Sequence, residues 1–223
     1  MRASARPDRN YELVIMKKPY YQENGISIYH GDSQEILPTL GKFDLLLTDP
    51  PYGINAARHR KSQNSRWKDY GSKQESNWDK IKAPEELLQI AIRQSTNSII
   101  WGGNYFSLLP QSKWLVWDKM QRNFSLADVE LAWTNINGAA RCFSYSRPEA
   151  LQDGKFHPTQ KPVALMRWCL GQAKTKNFVL DCFCGSGSTL LAAKLEGLNA
   201  VGIESNERYC EIAADRLRQG VLF

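Results

Sequence analysis

The sequence lacks the patterns that mark membrane proteins and secreted, disulfide-bonded proteins. It has no run of about eighteen apolar residues, the length that a transmembrane helix requires, and residues 1–21 lack the apolar segment of a secretory signal. Only five residues are cysteine, an odd number at irregular spacing, which favours free thiols in a reducing compartment. We therefore expect a cytoplasmic protein with no membrane segment.

Several motifs of reactive or metal-binding sites are also missing. Cys182 and Cys184 form C-x-C rather than the C-x-x-C pair of zinc sites, so we expect no metal. No cysteine follows a proline, which excludes the usual Pro-Cys nucleophile that attacks C5 of cytosine. The H-x-E and P-C-x-x-C motifs of zinc-dependent base deaminases do not occur. The sequence therefore favours neither a cytosine-C5 type of cysteine nucleophile nor a zinc-dependent deaminase.

The composition is that of one basic globular domain. The chain has 223 residues, 42% of them hydrophobic, which is enough for a substantial core. Its net charge is +6, which suits a polyanionic partner. The segment 53–82 holds eight basic residues against three acidic ones, with tryptophan and tyrosine interleaved. We expect a polar arm at 1–22, one domain over 23–223 and a long basic loop at 53–82.

Strand and helix patterns alternate along most of the chain. Short apolar runs end in glycine, proline or acidic residues, and helical periodicity follows several of them. This alternation indicates an α/β sheet with helices on both faces. Residues 129–136 and 141–146 are expected to complete an antiparallel end of the sheet. The predicted strands are 26–30, 44–48, 97–103, 113–119, 129–136, 141–146, 177–183 and 199–205, and the predicted helices are 84–95, 162–173, 188–196 and 206–218.

A buried strand ends at the sequence Asp49-Pro50-Pro51-Tyr52. Two prolines fix the backbone after the strand and remove competing N–H donors. The carboxylate and the carbonyl oxygens are then left as hydrogen-bond acceptors, next to an aromatic ring. A carboxylate, a rigid backbone and an aromatic ring are thus placed together at the end of the strand.

A second strand, 177–183, leads into the glycine bend D-C-F-C-G-S-G-S-T at 181–189. Glycines before a helix let the backbone approach a nucleotide closely. The dinucleotide fingerprint fails because Leu190 stands where glycine or alanine is needed, and no Gly-Lys-Ser/Thr loop occurs. Glu204 ends the next strand, where an acid can bind ribose hydroxyls. The pattern indicates an adenosine-type ligand without a pyrophosphate; a tight strand-to-helix connection is the alternative.

The sequence H-P-T-Q-K-P at 157–162 precedes a predicted helix. Thr159 offers a hydroxyl and Lys161 an ammonium group that can hold a ligand carboxylate. An ordinary capped helix start is the alternative. Asp32, at the end of the strand 26–30, has a similar ambiguity, because it can contact a ligand or cap the helix that follows.

DPPY at 49–52, HPTQKP at 157–162 and the glycine bend at 181–189 with its following acid occur together. With the catalytic motif before the cofactor motif, the sequence resembles the amino-type DNA methyltransferases of the permuted beta group. The resemblance covers about residues 25–219. It implies a Rossmann-like sheet of seven strands, mostly parallel with an antiparallel edge and with helices on both faces. It also implies S-adenosylmethionine as cofactor and a base amino group of double-stranded DNA as acceptor.

The resemblance also assigns roles to individual residues. Family motif IV, the catalytic one, corresponds to Asp49, Pro50, Pro51 and Tyr52. The implied cofactor-binding residues are Asp32, His157, Thr159, Lys161, Asp181, Cys182, Phe183, Gly185, Ser186, Gly187 and Glu204. Core packing is the alternative for Cys182 and Phe183. Trp101, Gly102, Gly103 and Asn104 end the strand beside DPPY and are candidates for shaping the base pocket, with burial alone as the alternative.

Aspartate rather than serine before Pro-Pro-Tyr favours N6 of adenine over N4 of cytosine. An RNA adenine methyltransferase and a catalytically silent nucleic-acid-binding subunit also stay open. The predicted DNA-contacting residues are Arg58, Arg60, Lys61, Arg66 and Lys68. Only residues 137–156 lie where the family normally carries a recognition domain. The basic loop therefore reads the site, a second subunit in a homodimer contributes, or recognition is relaxed.

Overall fold

A computed structural model of the chain describes residues 18–54, 80–122, 127–150, 160–175 and 177–219. The strands of this part form one sheet: β1 (Tyr21–Glu23), β2 (Ile26–His30), β3 (Phe43–Thr48), β4 (Ser95–Trp101), β5 (Trp114–Asp118), β6 (Val129–Thr134), β7 (Arg141–Ser144), β8 (Phe178–Asp181) and β9 (Asn199–Glu204). The helices are α1 (Ser33–Ile36), α2 (Glu85–Gln94), α3 (Arg147–Ala150), α4 (Val163–Ala173), α5 (Ser188–Leu195) and α6 (Glu207–Arg218). Predicted and observed elements differ by only one or two residues at most ends, and the predicted α/β class is confirmed.

The strand order is β1-β2-β9-β8-β3-β4-β6-β5-β7. The five neighbours from β2 to β4 are all parallel, so their carboxyl ends lie at one edge of the sheet. These strands are rich in aliphatic residues because both of their faces are covered. In such sheets, ligands bind at the carboxyl ends of the strands.

The far end of the sheet differs from the prediction. β6 is antiparallel to both β4 and β5, but β7 pairs with β5 in parallel. The predicted antiparallel end is therefore one reversed strand, β6, inserted between parallel ones. Because β6 runs backwards, its first residues lie at the edge where the parallel strands end.

Within the described residues the sheet has nine strands rather than the seven implied by the resemblance. One addition is β1, which pairs antiparallel with β2 and starts two residues inside the predicted arm 1–22. Tyr21 is buried there, so the arm ends earlier than predicted. Residues 1–17 of the arm lie outside the described residues, as does most of the loop 53–82. The assignment of 23–223 to one domain stays a prediction.

Two apolar layers cover the sheet. On one face, α4, α5 and α6 pack on alternate strand residues such as Leu45, Leu47 and Ile99. On the other face, α1 and α2 pack on Leu46 and Ile100. Adjacent strand residues therefore point to opposite layers, as the pleat requires. Among the described residues, none of the helices has the length and apolarity needed to cross a membrane.

Candidate active site

The carboxyl edge of the parallel strands brings two of the predicted motifs together. β3 and β8 are neighbours, and DPPY follows β3 while the glycine bend follows β8. The Thr48 hydroxyl donates a buried 2.7 Å hydrogen bond to Oδ1 of Asp181. Phe183 and Tyr52 also pack against the same small apolar cluster around Phe106. The two corners therefore lie side by side.

Asp49 is the acidic centre of this edge. Its Oδ1 accepts a short hydrogen bond from the Tyr52 hydroxyl, and its Oδ2 lies 2.5 Å from Nζ of Lys161. The Asp49 side chain keeps 25% of its surface exposed. Each carboxylate oxygen has two lone pairs, so Asp49 can accept further hydrogen bonds from a molecule at this edge.

Lys161 links Asp49 to a second carboxylate. Its side chain is only 6% exposed, and its ammonium lies 3.1 Å from Oε2 of Glu130. Oε1 of Glu130 in turn lies 2.6 Å from Nζ of Lys119. Two carboxylates and two ammonium groups thus form one chain of ion pairs, which we call the charged cluster: Asp49, Lys161, Glu130 and Lys119. Buried charges persist only when paired in this way.

The pKa values in the charged cluster follow from burial and pairing. Burial raises the pKa of Asp49 even though the Lys161 ammonium opposes the shift, and the nearby Glu130 charge raises the pKa further. For Glu130, burial acts in the same direction, but the ammonium groups of Lys161 and Lys119 outweigh it and lower the pKa to about 2. Burial alone would lower the pKa of Lys161; its two carboxylate partners raise it instead. Asp49 is therefore the more basic carboxylate of the two.

An aromatic wall stands beside Asp49. The Tyr52 and Tyr105 rings are stacked, with centroids 4.9 Å apart and planes at 17°. Tyr105 is 41% exposed. Gly102 makes room for this wall, since a Cβ at Gly102 would overlap the Tyr52 ring and its φ of +66° favours glycine. Trp101 is fully buried, in line with the alternative of burial alone, and a Cβ at Gly103 would meet Trp133 rather than Tyr52.

The glycine bend has the form of a nucleotide cradle. Gly185 has φ +49° and nothing within 4 Å of where a Cβ would stand, so this side of the bend is open. The Gly185 N–H donates to Oε2 of Glu204 at 2.9 Å, and the Asn206 N–H donates to Oε1 at 2.8 Å. These two bonds fix the Glu204 carboxylate next to the opening, with lone pairs left for ribose hydroxyls. The bend and the acid fit an adenosine-type cofactor.

Residues behind the bend hold it in place. The φ of Gly187 is +81°, and a Cβ there would lie 2.9 Å from Cβ of Ala213 on α6. Arg216 of the same helix is buried and donates from Nη1 to the Ser186 carbonyl at 2.5 Å. The Ser186 hydroxyl also donates to Oε1 of Gln160 at 3.1 Å. This bond ties the bend to the segment that carries Lys161.

Asp181 is buried where the two motifs join. Its Oδ1 accepts from the Phe183 N–H at 3.1 Å as well as from Thr48. Burial raises the pKa of Asp181 to about 6, although hydrogen bonds from Thr189 and Thr48 oppose the shift. The side chain therefore stabilises the junction from within the protein.

Several predicted cofactor-binding residues have partners within the protein. Lys161 pairs with Asp49 and Glu130 in the charged cluster, and the contact of its ammonium with a ligand carboxylate stays a prediction. Asp32 is the N-cap of α1 and accepts from the Gln34 N–H at 2.8 Å, in line with the capping role. Cys182 is buried, and its carbonyl accepts a 2.5 Å bond from the Ser33 hydroxyl, which favours packing.

Other predictions fall on residues that the structure does not describe. His157 and Thr159 lie outside the described residues, and so do the predicted DNA contacts Arg58, Arg60, Lys61, Arg66 and Lys68. The described residues contain no group of three or more histidine, cysteine or acidic side chains arranged to hold a metal ion.

Sequence reasoning missed Glu130, Lys119, Tyr105 and Arg216. For the first two a signal existed, because each is a charged residue at the end of an apolar strand pattern. A charged side chain at such a position needs a partner of opposite charge when it is buried. An acidic and a basic residue on successive strands therefore predict an ion pair between them. Tyr105 and Arg216 gave no comparable signal.

Comparison with known proteins places the chain in one family. Residues 100–215 match the family model of N6 and N4 methyltransferases described as DNA methylase. The Type II methyltransferase M2.LlaDCHI of Lactococcus lactis subsp. cremoris is 26% identical, with 96% of this chain and 97% of that protein covered. M2.DpnII of Streptococcus pneumoniae is 27% identical, with 93% and 95% covered.

Solved structures agree. The complex of M1.HpyAVI with S-adenosylmethionine is 25% identical, with a TM-score of 0.59 over 86% of this chain and 99% of that chain. The cytosine-N4-specific PvuII DNA methyltransferase shares the fold, with a TM-score of 0.60, 18% identity, and coverage of 93% of this chain and 91% of that one. The predicted enzyme class and cofactor are therefore confirmed. The chain belongs to the DNA methylase family and is an S-adenosylmethionine-dependent methyltransferase of the amino type.

Proposed function

We propose that the enzyme methylates the exocyclic N6 amino group of an adenine turned out of double-stranded DNA, with Asp49, Pro50, Pro51 and Tyr52 as its catalytic residues. The observation that carries the proposal is the position of the Asp49 carboxylate. It is partly exposed, lies beside an aromatic ring, and is joined through Thr48 and Asp181 to the glycine bend.

The chemistry of an amino acceptor explains the need for Asp49. The nitrogen lone pair of an aromatic amine is delocalised into the ring, so the nitrogen is a poor nucleophile. Acceptors that bind its two protons favour a tetrahedral nitrogen, and the Asp49 carboxylate and Pro50 carbonyl are acceptors of this kind. The amine loses one proton when its nitrogen bonds to the methyl carbon, and Asp49 is the base placed to take it.

The cofactor would be held by the glycine bend and Glu204. When bound, S-adenosylmethionine would supply an electrophilic methyl group and a neutral thioether as its leaving group. Gly185 leaves open space and Glu204 offers fixed acceptors for ribose hydroxyls. Gly187, Ser186 and Asp181 keep the bend in shape. We also retain His157 and Thr159 as proposed cofactor contacts, on the strength of the family resemblance.

Contact with DNA is proposed for the basic segment 53–82, through Arg58, Arg60, Lys61, Arg66 and Lys68. Its excess of positive charge follows directly after the catalytic corner in the sequence, and phosphate contacts need such charge. A homodimer in which a second copy helps to read the site is the alternative, to be decided by the mass of the DNA complex in solution. The five free thiols suit a cytoplasmic location.

Two reciprocal variants test the proposed roles on unmethylated genomic DNA with labelled cofactor. Asp49→Asn should lose methyl transfer by at least about a hundredfold and keep cofactor affinity. Glu204→Gln should weaken cofactor binding by about tenfold, because it removes a charge-assisted acceptor. Equilibrium binding of the cofactor separates the two effects.

Sequencing of modified bases identifies the acceptor and its sequence context. N6-methyladenine in the DNA treated with the parent enzyme supports the proposal. N4-methylcytosine, the product class named for PvuII methyltransferase, would instead assign the other base. Full activity of Asp49→Asn would show that the Asp49 carboxylate is not the proton acceptor and would contradict the proposed role of this corner.

A further inference from the structure

We propose that Glu130 is a positioning residue that acts through Lys161: it shares the Lys161 ammonium with Asp49 and so keeps the Asp49 carboxylate basic enough to accept the proton of the acceptor amine. This inference rests on the proposed function, since it gives Asp49 the role of base. It assigns a task to a residue that lies outside DPPY, the glycine bend and HPTQKP.

The geometry places Lys161 between two competing carboxylates. Its Nζ lies 2.5 Å from Oδ2 of Asp49 and 3.1 Å from Oε2 of Glu130. Glu130 is itself fixed, because its other oxygen lies 2.6 Å from Nζ of Lys119. The Lys161 ammonium is therefore shared by two carboxylates, and each carboxylate weakens the electrostatic attraction between Lys161 and the other one.

The charges in the charged cluster balance, with two negative and two positive groups. If Glu130 were neutral, the Lys161 ammonium would face Asp49 alone in a buried environment, where pairing is strong. Asp49 would then be a tightly paired, weakly basic carboxylate that resists protonation. Glu130 prevents this state because it neutralises part of the Lys161 charge and because its own negative charge disfavours a second anion at Asp49.

The fold explains why Glu130 stands at this edge. It is the second residue of the reversed strand β6, so it lies where the parallel strands end. Ala132, two residues on, packs in the layer formed by α4, so Glu130 points to the side where Lys161 precedes α4. The titratable groups that face this region from the surrounding elements are Tyr52, Tyr105, Lys119, Lys161, Cys169 and Asp181.

The test is a carboxyl-carbon NMR titration of the full chain labelled with ¹³C-aspartate. Asp49→Asn assigns the Asp49 signal by removing it. We expect Glu130→Gln to lower the Asp49 pKa by about one unit or more, because Lys161 becomes its undivided partner. Lys161→Met should move the Asp49 pKa in the opposite direction. Glu23→Gln, which neutralises an exposed acid on β1, is the matched control and should leave the Asp49 signal unchanged.

The kinetic counterpart is the acid limb of the pH dependence of methyl transfer. It should move to lower pH in Glu130→Gln, with kcat at least about tenfold below the parent and cofactor affinity unchanged. A merely structural role for Glu130 would lower the folded fraction without moving the acid limb or the Asp49 titration.

If Glu130→Gln does not fold, Lys119→Met carries the test. Without Lys119, Glu130 would pair with Lys161 alone and would neutralise more of the Lys161 charge. The Asp49 pKa should therefore rise. An Asp49 pKa that is the same in the parent and in the variants, or that moves opposite to these directions, overturns the inference. A failure of the proposed function is distinguishable, because it would appear as an absence of methylated adenine with the parent enzyme, whereas the titration needs no substrate.

Discussion

At the scale of single residues, the catalytic corner depends on contacts that leave little freedom. Asp49 is held by Tyr52 and Lys161, and Tyr52 is stacked on Tyr105. Gly102 permits this arrangement because it has no side chain where the Tyr52 ring lies. A small displacement of Tyr52 would therefore be transmitted to the carboxylate that is proposed to bind the amine.

Gly102→Ala tests how closely this corner is specified. The new Cβ would overlap the Tyr52 ring and would require alanine at φ +66°, so the ring must move. Methyl transfer should fall about tenfold to a hundredfold, since misplacement of about 1 Å costs that much. Cofactor binding, measured by equilibrium dialysis, should change little because the glycine bend is untouched.

Gly41→Ala is the control for Gly102→Ala. Gly41 is an exposed glycine with an ordinary backbone angle, and an added Cβ would meet nothing within 4 Å. This variant should keep the parent rate. An unchanged rate in Gly102→Ala would show that Tyr52 does not orient Asp49.

At the scale of elements, the starts of α4 and α5 place functional groups at the edge of the sheet. Pro162 caps α4 and sets Lys161 just before its first turn, where the buried ammonium reaches Asp49. Gly187 caps α5 in the left-handed region, so the glycine bend precedes that helix directly. The helices therefore contribute to the site through the residues that precede them.

Two glycines near these helices make a matched pair for stability. Gly171 lies within α4 and Gly197 follows α5, and an added Cβ would meet nothing within 4 Å at either position. Gly171→Ala should raise the free energy of unfolding by about 0.5–1 kcal/mol, because alanine loses less backbone entropy in a helix. Gly197 has φ +66°, so Gly197→Ala should lower it by about 1–2 kcal/mol.

Urea denaturation measures both changes. The two glycines differ in backbone angle, while both have open space for an added Cβ. Stability changes of the same sign in the two variants would therefore contradict the structural account of these positions.

At the scale of the whole molecule, charge is distributed unevenly along the chain. The net charge is +6, and the segment 53–82 has five more basic than acidic residues. The two described ends of this segment lie together beside the catalytic corner, since a Cβ at Gly53 would stand 3.0 Å from the backbone nitrogen of Lys82. Phosphate binding there would bring duplex DNA to the edge where the parallel strands end.

Replacing Arg58, Arg60 and Lys61 together by alanine should weaken DNA binding and reduce the salt dependence of the affinity. If all three contact phosphates, the slope of log K against log salt should become shallower by about 3. Fluorescence anisotropy with labelled duplex DNA over a range of salt concentrations gives this slope.

The control for this triple variant removes Lys42, Arg93 and Arg141, three exposed basic residues near the edge where the parallel strands begin. It changes the net charge equally and should leave the slope closer to that of the parent. Equal slopes in the two triple variants would show that total charge, not the segment, governs binding.

The α/β class and most strand and helix positions could be predicted because they depend on local patterns. Apolar runs, helical periodicity, prolines at helix starts and glycines at turns all act over a few residues. The strand β1 was not predicted, because three residues carry too little periodicity, and the pairing of β7 was not, because strand direction depends on partners far along the chain.

The candidate site also has a part that local sequence predicts and a part that depends on the tertiary structure. DPPY, the glycine bend and Glu204 are contiguous or regularly spaced, so the sequence by itself determined the chemistry that this protein can perform. Only the tertiary structure decided that Lys161 binds Asp49, and that Glu130 and Lys119 complete the charged cluster. Those pairings join residues from four separate segments across a low-dielectric interior, where the partner of a buried charge is set by the packing of strands and not by its neighbours in sequence.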